Sequence, residues 1–563
     1  MATIIDYYPL GVIDRALFNF DEISRVVNFK LAGSVSVSVS DSFVVSDYVP
    51  LGISSNVYTS GSSGSAHWTS TQLANIQSIL DNYSQFINVA FGSVINDSGF
   101  NPAQVGTSSD INISLINRPS LAFSGLTAAA SYDFGYVGSE LDIVLNTAGF
   151  GGTDTSLSTT SWGGHALMHE IGHALGLSHP HSSIVNGTAV LTKDFSATTA
   201  VGFAQLGFQI HAAADMNKEY FTIMSYDDEK PPTGIDTYAQ TPMILDVIAL
   251  QDAYGAGTGT SGNGNDVITV GGSGTVSAYR SYFDTGGLDQ INLANYTGGA
   301  YINMGVQITG ASHLVGVSMS VADHQLQLNG SAPASLRWFY GEFENCVGSA
   351  GNDLITGNNL NNVITGGAGN DTIDGVSGLD VCTYSGVASA YSIASGASLT
   401  WTVRDTVSNR DGTDTLTHIN RLQFTNTNVA LDIGSTETAG SVYMLYQASF
   451  NRTPDAVGLG YWINAVDKGA NIITTVAASF VASPEFVGKY GSNPSNASYV
   501  DNLYQNVLHR AGDSGGVAYW NQQLNNGAAT KAFVLEQFAT LAEGAALVAP
   551  TIAHGIAYQQ WVG

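Results

Sequence analysis

Basic residues are scarce in this chain, and charged residues of either sign are few. Of 563 residues, 17 are Lys or Arg and 45 are Asp or Glu, which gives a formal net charge of −28. Such a surplus of acids repels phosphate groups and argues against a nucleic-acid partner. Two explanations of the acidity stay open at this point: a solvated anionic surface that confers solubility, or carboxylates that bind cations.

Cysteine and long apolar runs are scarce too. Two cysteines, Cys346 and Cys382, cannot form a disulfide framework. No run of 18 or more apolar residues is present, so a membrane-spanning helix is not expected. The first residues show no basic segment followed by a continuous apolar stretch, and we therefore expect no ordinary N-terminal signal peptide.

Glycine is abundant instead, with 64 residues, and favours turns and short strands. A chain of this length exceeds what one core organises, so several domains are expected. Changes in composition and periodicity predict four regions: a first segment with the first elements (1–50), an α+β region (51–255), a glycine-rich region (256–435) and a helical region (436–563).

Apolar periodicity predicts three helices in the second region. They lie at 69–90, after Thr and Ser N-cap residues, at about His165–Leu177, and at Pro242–Tyr254. Alternation or short apolar runs predict strands at Ser34–Val39, Ile111–Ile116 and Asp142–Leu145.

The segment HEIGHALGLSHP carries the first pattern with a chemical meaning. His169 and His173 are four residues apart, so both imidazoles project from one face of a helix and can bind one metal ion. Gly176 can adopt a left-handed conformation that turns the chain, so that His179 supplies a third ligand. Three neutral protein ligands leave one tetrahedral position of a zinc ion open for water, as in catalytic sites.

Glu170 completes this predicted site. It adjoins the first ligand and is placed to take a proton from the water on the zinc ion and to pass it to the leaving amine. A bare HExxH occurs by chance in long chains, but HExxHxxGxxH fixes five positions, which makes a coincidence improbable. His165 and His181 lie near the motif without its spacing, and we interpret them as ordinary polar residues.

The long motif, the pair His179-Pro180 and the later Ile223-Met224-Ser225-Tyr226 together resemble the serralysins, the bacterial branch of the metzincin zinc endopeptidases. The resemblance covers roughly residues 50–385 and implies an α+β metzincin catalytic domain. It implies that Met224 lies in a turn beneath the metal. It also implies that Tyr226 is a weak additional zinc ligand that swings away to stabilise the oxyanion.

The same resemblance implies the substrates. Serralysins cleave unfolded or loosely folded proteins and peptides with broad specificity, and bind them as an added strand beside an edge strand of the catalytic domain. The segment Gly125–Ser131 is the candidate edge strand, and an ordinary buried strand is the alternative.

Between residues 348 and 383 the sequence repeats every nine residues, as GSAGNDLIT, GNNLNNVIT, GGAGNDTID and GVSGLDVCT. The repeats fit GGxGxDxUx, the pattern of the calcium-binding parallel β-roll. Two nonapeptides make one coil, so Asp353 and Asp371 are predicted to stack along one edge and to share a calcium ion. Along the other edge Asn362 faces Asp380, and this pair lacks one charge. A glycine-rich linker, the alternative, does not explain the hydrophobic residue that recurs at position eight of every nonapeptide.

The predicted calcium ligands fall into two groups. Those in the nonapeptides are Ser349, Gly351, Asp353, Gly366, Gly367, Ala368, Gly369, Asp371 and Asp380. Those in two segments that resemble calcium sites at the start of the family's second domain are Gly262, Gly264, Asp266, Asp284, Gly286 and Asp289.

The roll also places the two cysteines. Cys346 occupies position eight of a degenerate preceding repeat, two strands from Cys382, or about 9.6 Å at the spacing of strands in a sheet. That distance exceeds the roughly 7 Å between Cα atoms that a disulfide tolerates. We therefore predict two buried free thiols.

Calcium explains the net charge, because stacked carboxylates repel one another until a divalent cation binds. Extracellular sites of this kind bind at about 10⁻⁴–10⁻³ M, so the roll is expected to be disordered in a cytosol. The chain is then exported unfolded, which resembles type I secretion, and the type I secretion apparatus becomes a predicted partner.

After residue 440 a second repeat begins: LYQASFNRTPDAVGLGYW matches LYQNVLHRAGDSGGVAYW, with Arg452 against Arg510. This duplicated helical module resembles the DUF4214 family. The residues that match between the two copies suggest structural roles. Arg and Asp form salt-bridged pairs (Arg452/Asp455 and Arg510/Asp513), and the tryptophans (Trp462 and Trp520) are core anchors or a carbohydrate-stacking surface.

The sequence as a whole predicts a secreted, monomeric zinc endopeptidase with one catalytic Zn²⁺ and several structural Ca²⁺ ions. Its fold class is multidomain: an α+β metzincin domain, a parallel β-roll and β-sandwich domain, and an all-α repeat domain. The alternative is a surface-binding or structural protein with an idle peptidase fold, whose helical repeats bind a cell-surface partner.

Overall fold

The computed structural model describes eighteen segments of the chain. They are 3–6, 29–32, 34–40, 68–96, 111–116, 128–132, 141–146, 156–177, 183–185, 188–190, 219–225, 238–260, 262–271, 279–306, 314–318, 333, 335–397 and 400–561. The chain divides into two compact units, Met1–Phe343 and Glu344–Gly563. The finer division into four regions remains a prediction.

The first half of the first unit combines short strands with three helices. In chain order these are β1 (Thr3–Asp6), β2 (Phe29–Ala32), β3 (Val37–Ser40), α1 (Ser70–Phe86), β4 (Ile95–Asn96), β5 (Ile111–Ile116), β6 (Ala128–Tyr132), β7 (Leu141–Asn146), α2 (Trp162–Ala174), β8 (Ser183–Val185), β9 (Thr188–Val190) and α3 (Ile244–Tyr254). The pairs β1–β2 and β8–β9 are antiparallel.

The main sheet of this half has the strand order β4-β3-β5-β7-β6. Its strands β3, β4, β5 and β7 run parallel, whereas β6 is antiparallel to β7. Strand β6 is therefore the terminal strand of the sheet within the described residues, and helix α2 lies against it. The predicted edge segment Gly125–Ser131 overlaps this strand, although its first three residues lie outside the described chain.

Local sequence signals explain the helices. Thr69 and Gln72 form a capping box at the start of α1, where each side chain accepts the other residue's backbone N–H. The Tyr83 hydroxyl then donates to the Met168 carbonyl at 2.8 Å and joins α1 to α2. The apolar stripe predicted for α1 is buried at Ile76 and its neighbours one turn on. Helices α1 and α3 agree with the predicted segments.

Helix α2 begins three residues before the predicted His165. The reason is the Ser161 side chain, which accepts the Gly164 backbone N–H at 3.1 Å and caps the helix earlier. The helix ends at Ala174, and Gly176 follows with a φ of +105°. The predicted left-handed turn at this glycine is confirmed.

The second half of the first unit is built of strands only, within the described residues. They are β10 (Val267–Thr269), β11 (Tyr279–Phe283), β12 (Gln290–Asn292), β13 (Tyr301–Val306), β14 (Leu314–Ser318) and β15 (Leu336–Tyr340). Strands β10 and β12 are parallel, as are β11 and β15, whereas β13, β14 and β15 pair antiparallel in sequence.

Buried Trp338 on β15 joins the two halves of this unit. Its indole Nε1–H donates to the Tyr220 carbonyl at 2.7 Å, and its ring lies 5.4 Å from that of Phe221. The short segment 219–225, which carries Met224 and Ser225 of the Met-Ser-Tyr motif, is thus held by a residue from the glycine-rich region.

The second unit begins with a parallel roll and continues into helices. Its strands are β16 (Asn345–Val347), β17 (Leu354–Thr356), β18 (Val363–Thr365), β19 (Thr372–Asp374), β20 (Val381–Thr383), β21 (Tyr391–Ser395), β22 (Thr400–Asp405), β23 (Thr413–Thr417), β24 (Arg421–Gln423), β25 (Asn428–Ala430) and β26 (Ile556–Tyr558). Its helices are α4 (Thr438–Phe450), α5 (Ala456–Asp467), α6 (Ala478–Ala482), α7 (Pro484–Tyr490), α8 (Asn496–Asn506), α9 (Ser514–Asn525), α10 (Lys531–Thr540) and α11 (Ala542–Ile552).

The roll has the predicted two faces. Strands β16, β18, β20 and β24 stack in parallel on one face, and β17, β19 and β23 on the other. Cys346 pairs with Ile364, and Ile364 with Cys382, so the cysteines lie two strands apart. Both are buried and free, as predicted. Burial raises the pKa of each thiol, which makes them unreactive core residues.

The duplicated module contains the predicted Arg–Asp pairs, but each arginine has a closer acidic partner. Arg452 forms a two-pronged bond with Glu485, at 2.7 and 3.0 Å, whereas its nearest contact with Asp455 is 3.9 Å. Asp455 instead caps α5 by accepting the Gly458 N–H. The second copy repeats this pattern with Arg510, Glu543 and Asp513. A side-chain N-cap contributes more to stability than an exposed ion pair at this distance, so the cap is the main role of the aspartate.

The tryptophans of the module are half-buried and pack on the helical core. The ring of Trp462 lies 5.4 Å from Phe480, and that of Trp520 lies 5.9 Å from Phe538. These contacts support the core-anchor interpretation. No single described helix is both long and apolar enough to cross a membrane; only α10 and α11 together, bent by 57°, reach the required length and composition.

Buried Arg421 ties the roll to the helices of the second unit. It bonds to Asp432 and, at 3.1 Å, to Asp467 at the end of α5. We predict that Arg421→Ala lowers the free energy of unfolding by about 3–5 kcal/mol, because two partly buried carboxylates lose their counter-ion. Urea denaturation of the calcium-loaded protein measures this loss. The exposed pair provides the control: Arg452→Ala costs less than about 1 kcal/mol. Equal losses for the two variants would contradict the prediction.

Candidate functional site

Helix α2 brings the first predicted zinc ligands together. The rings of His169 and His173 lie 4.8 Å apart and are nearly perpendicular, at 86°. His169 and Glu170 are almost fully buried, with 5% and 6% of their surfaces exposed. The i, i+4 spacing on one helix face therefore gives the juxtaposition that the sequence predicts.

Each imidazole is held by a backbone carbonyl. His169 Nδ1 lies 2.8 Å from the Ile223 oxygen, and His173 Nδ1 lies 2.7 Å from the Leu177 oxygen. A carbonyl oxygen only accepts, so in both rings Nδ1 carries the proton and donates it. In the neutral imidazoles Nε2 then keeps its lone pair, which is the state that a metal requires. The pair fits two ligands of a zinc ion.

The two remaining predicted zinc ligands, His179 and Tyr226, lie outside the described residues, as does His181. Gly176 and Leu177 turn the chain at the end of the helix, immediately before the segment that contains His179. His165 lies on the same helix, and its Nδ1 is 3.4 Å from a carboxylate oxygen of buried Glu219. Its partner there is an acid, which agrees with its interpretation as a polar residue outside the metal site.

Met224 packs directly against the ligand helix. A Cβ atom added to Gly172 would lie 2.8 Å from the Met224 sulfur, so any larger residue at this position would displace it. Met224 is fully buried. The glycine before His173 thus allows the methionine to approach the helix beside the second histidine.

Asp246, which the sequence analysis did not single out, fixes this turn. Its fully buried carboxylate accepts from the Thr222 hydroxyl at 2.6 Å and from the Ile223 and Met243 backbone N–H groups at 2.8 Å. The backbone N–H of Ile223 thus donates to Asp246, and the carbonyl of the same residue accepts from His169. Burial raises the pKa of Asp246 to about 7, although these three donors lower it. The sequence feature that could have identified Asp246 is its position as the one acidic residue in the apolar run ILDVIAL.

A cluster of carboxylates lies in the second half of the same unit. Oxygens of Asp266, Asp284 and Asp289 all lie within 4.8 Å of one another. The two predicted segments meet here: the Asp266 N–H donates to Asp289 at 2.8 Å, and the Thr285 N–H donates to the Gly262 carbonyl. A Cβ at Gly287 would lie 1.9 Å from the Gly264 oxygen, so only glycine permits this approach. Asp266 Oδ2 is buried without a hydrogen-bond partner among the described residues, which fits a cation ligand.

The first edge of the roll stacks its aspartates as predicted. The Asp353 N–H donates to Asp371 Oδ1 at 2.9 Å, and the Ser349 N–H and hydroxyl both donate to Asp353 at 2.6 Å. Gly351 and Gly369 are in backbone contact: a Cβ on Gly369 would lie 2.5 Å from the Gly351 oxygen.

The other predicted positions lie in the same two turns. Gly366 touches the carboxylate of Asp371, and Gly367 approaches the Ser349 carbonyl with a φ of +103°. Ala368 lies between Gly367 and Gly369 in the partly buried tip of the turn.

The second edge pairs Asn362 with Asp380. The Asn362 N–H donates to Asp380 Oδ1 at 2.9 Å, while the Asn362 amide group donates to the Glu344 carbonyl and to Asn358. The Asn362 side chain thus has an NH₂ group where an aspartate would offer a second oxygen to a cation, and this group donates to protein oxygens instead. This edge has fewer free acceptors, in agreement with the weaker site predicted there.

Burial leaves several roll carboxylates poorly stabilised as anions. It raises the pKa of Asp371 to about 8, and those of Asp380 and Asp414 to about 7. Asp371 Oδ2 and Asp380 Oδ2 are buried and lack a hydrogen-bond partner among the described residues. Buried acceptors of this kind need a proton or a cation, and hard oxygen donors suit calcium.

Comparisons with known proteins identify two segments of the second unit. Residues 347–382 match the family model of the RTX calcium-binding nonapeptide repeat, and residues 477–548 match the domain of unknown function DUF4214. The chain therefore carries RTX calcium-binding nonapeptide repeats and a DUF4214 domain.

The curated relatives are named as metalloproteases. The chain is 28% identical to Metallopeptidase AprA of Pseudomonas marginalis over 38% of this chain and 44% of that protein. It is 26% identical to Serralysin B of Dickeya chrysanthemi over 52% and 55%, and 27% identical to Serralysin of Proteus mirabilis over 50% and 53%. The chain thus spans about half the length of the curated relatives it matches.

The Asp246 contacts predict a defect transmitted to His169. We expect Asp246→Ala to lower the free energy of unfolding by roughly 3 kcal/mol or more, because three buried donors lose their acceptor. We also expect zinc affinity to fall about 10–100-fold, as for other changes that release a metal-bound histidine. Urea denaturation and competition with a zinc chelator measure the two effects. The exposed acid Asp81 supplies the control, since Asp81→Ala changes stability by less than about 0.5 kcal/mol. Unchanged zinc affinity in Asp246→Ala would refute the transmission.

The raised pKa values of the roll predict a reversal of pH dependence by calcium. A carboxyl whose folded pKa is raised stabilises the fold in its protonated form, and this stability is lost as pH rises through the folded pKa. Without calcium, the melting temperature of the second unit should therefore fall between about pH 4 and pH 8, from the unfolded to the folded pKa of these groups. With millimolar calcium it should rise over the same range, because the ion requires deprotonated ligands. Thermal scans in chelator and in calcium test this; the same slope in both would contradict it.

Proposed function

We propose that this chain is a secreted, calcium-stabilised zinc endopeptidase of the metzincin type. The observation that supports it most strongly is the pair of carbonyl bonds at Nδ1 of His169 and His173, which gives both neighbouring rings the tautomer that binds a metal ion through Nε2. The relatives named serralysin and metallopeptidase support the same reaction class.

His169 and His173, together with His179, would hold the zinc ion, with Tyr226 as an additional ligand. When bound, zinc supplies Lewis acidity that lowers the pKa of water and polarises the scissile carbonyl. The chain supplies proton transfer: the Glu170 carboxylate takes a proton from the attacking water and delivers it to the leaving nitrogen. Burial of Glu170 keeps competing solvent away from this transfer.

The substrate is proposed to bind as a strand beside β6. This strand ends the five-stranded sheet within the described residues, and helix α2 lies against it. A peptide that pairs with β6 is thus held extended next to the ligand helix. Recognition through backbone hydrogen bonds does not depend on side-chain identity, which is the basis of the proposed broad specificity for unfolded proteins.

Substitution of Glu170 tests the proposal. We predict that Glu170→Gln lowers casein hydrolysis by about 10²–10⁴-fold, because the shape of the side chain is kept and the base is lost. Zinc content, measured by atomic emission, should remain one ion per chain.

Two controls complete the experiment. A zinc chelator should abolish the hydrolysis by the wild-type protein, and Asp81→Ala should leave it unchanged. Casein hydrolysis equal in Glu170→Gln and wild type would overturn the mechanism. Absence of hydrolysis in a zinc-loaded wild type would favour an idle peptidase fold.

A further inference from the structure

A cleft in the helical part of the second unit lies between the two copies of the duplicated module. It is lined by residues in or just after α4 of the first copy, and by residues in or near α8, α10 and α11 of the second. The duplication that matches Arg452 with Arg510 also matches Asn451 with His509, and both of the latter residues line the cleft. The cleft is therefore a feature of the boundary between the copies.

The second copy lacks the aromatic side chains that pack at the matching positions of the first. Phe486 and Tyr490 of α7 are buried, and their rings stack at 4.1 Å. Their counterparts on α11 are Gly544 and Val548, which line the cleft. A Cβ atom on Gly544 would lie 2.0 Å from the Phe538 carbonyl oxygen, because α11 lies close to the end of α10. The space beside this glycine therefore stays open.

The floor of the cleft is apolar. Met444, Ala448 and Ala539 contribute to it and are buried, whereas Leu547 extends the apolar surface to the rim, where 49% of its side chain is exposed. The cleft encloses about 100 Å³ and is open to solvent at this rim. For comparison, an enclosed apolar cavity of roughly 150 Å³ holds a benzene ring. The cleft thus accepts one ring-sized group and leaves the remainder of a longer molecule outside.

The rim of the cleft is polar and carries no acidic group, lysine or arginine. Gln447, Asn451, His509 and Thr551 line it, and their side chains form no hydrogen bond with other described residues. None of the residues that line the cleft is Asp, Glu, Lys or Arg. Amide and hydroxyl groups both donate and accept hydrogen bonds, as does a neutral imidazole. The rim therefore matches a ligand with several hydroxyl groups, which also donate and accept at once.

The backbone at two rim positions supports a role for the side chains there. Asn451 has a φ of +50° and His509 a φ of +54°, in the left-handed region that glycine adopts without steric cost. Both copies nevertheless have a hydrogen-bonding side chain at this position. Left-handed residues other than glycine concentrate at ligand-binding sites.

We propose that this cleft binds one ring of a neutral carbohydrate. The apolar floor covers the C–H face of the sugar ring, and the amides, hydroxyl and imidazole of the rim bond to its hydroxyl groups. An anionic sugar is disfavoured because the chain has a net charge of −28 and no lysine or arginine lines the cleft. A peptide is bound along an exposed strand or an elongated groove, whereas this cleft takes a single ring.

The site differs from the carbohydrate-stacking surface considered for the tryptophans of the module. Trp462 and Trp520 pack on the helical core, whereas the cleft lies at the boundary between the copies and contains no tryptophan among its lining residues. It belongs to the second unit and the proposed zinc site to the first. Binding of a sugar there does not depend on the proposed peptidase function, and gives the duplicated helical module a role in attachment to neutral glycans.

Two substitutions by glycine test the site and leave the fold intact. Asn451→Gly and His509→Gly each remove a rim side chain at a φ that glycine adopts freely, so the melting temperature should change little. Each should weaken sugar binding about 3–10-fold, because one hydrogen bond is lost. Asn409→Gly is the matched control, since Asn409 also has a left-handed backbone, with a φ of +58°, but lies between β22 and β23, outside the cleft. Its affinity for the sugar should equal that of the wild type.

Saturation-transfer-difference NMR titrations of the full chain in calcium provide the measurement. The probes are neutral tetrasaccharides of hexoses and of N-acetylhexosamines; a uronic acid tetrasaccharide and a mixture of neutral tripeptides represent the other classes of ligand. The wild type should bind a neutral tetrasaccharide saturably, and both cleft variants should bind it more weakly.

Three results would overturn the proposal. They are the absence of saturable binding to every neutral tetrasaccharide, equal affinity in the wild type and both cleft variants, and tighter binding of the uronate or the tripeptides than of the neutral sugars. Each is read without any assay of hydrolysis, so the outcome is separate from that of the casein experiment.

Discussion

The proposed zinc chemistry depends on two hydrogen bonds from imidazole to backbone. The carbonyls of Ile223 and Leu177 each accept a hydrogen bond from an Nδ1 atom, and so determine the tautomer of His169 and His173. One carbonyl belongs to the turn after α2 and the other to the segment before Met224. A metal site of this kind requires that each segment places its carbonyl within hydrogen-bond distance of the histidine on α2.

The first unit secures that geometry from two directions. Asp246 on α3 holds the Ile223 peptide from one side, and Trp338 on β15 holds the neighbouring Tyr220 carbonyl. The segment that bears Met224 is thus fastened by residues far apart in the chain. Trp338 belongs to the glycine-rich region, so part of that region is a support of the proposed active site and packs with it as one unit.

Features with fixed spacing could be predicted from the sequence. The histidines four apart, the N-cap before α1 and the nonapeptide stack of Asp353 on Asp371 all follow from local sequence spacing. Features brought together by the fold could not. The backbone N–H of Asp371 donates to Asp414, which lies 43 residues later, whereas the regular coil spacing is 18, because β21 and β22 intervene. The bond between Arg452 and Glu485 could not be predicted either, because the fold brings together two residues that lie 33 positions apart.

One zinc ion is predicted to bind through Nε2 of both His169 and His173 on α2. The most direct measurement is a crystal structure of the protein grown with zinc, with anomalous diffraction recorded on both sides of the zinc absorption edge. A single anomalous peak at about 2.0–2.1 Å from Nε2 of His169 and of His173 would agree with the account. Coordination through Nδ1, or no zinc at these two side chains, would contradict it.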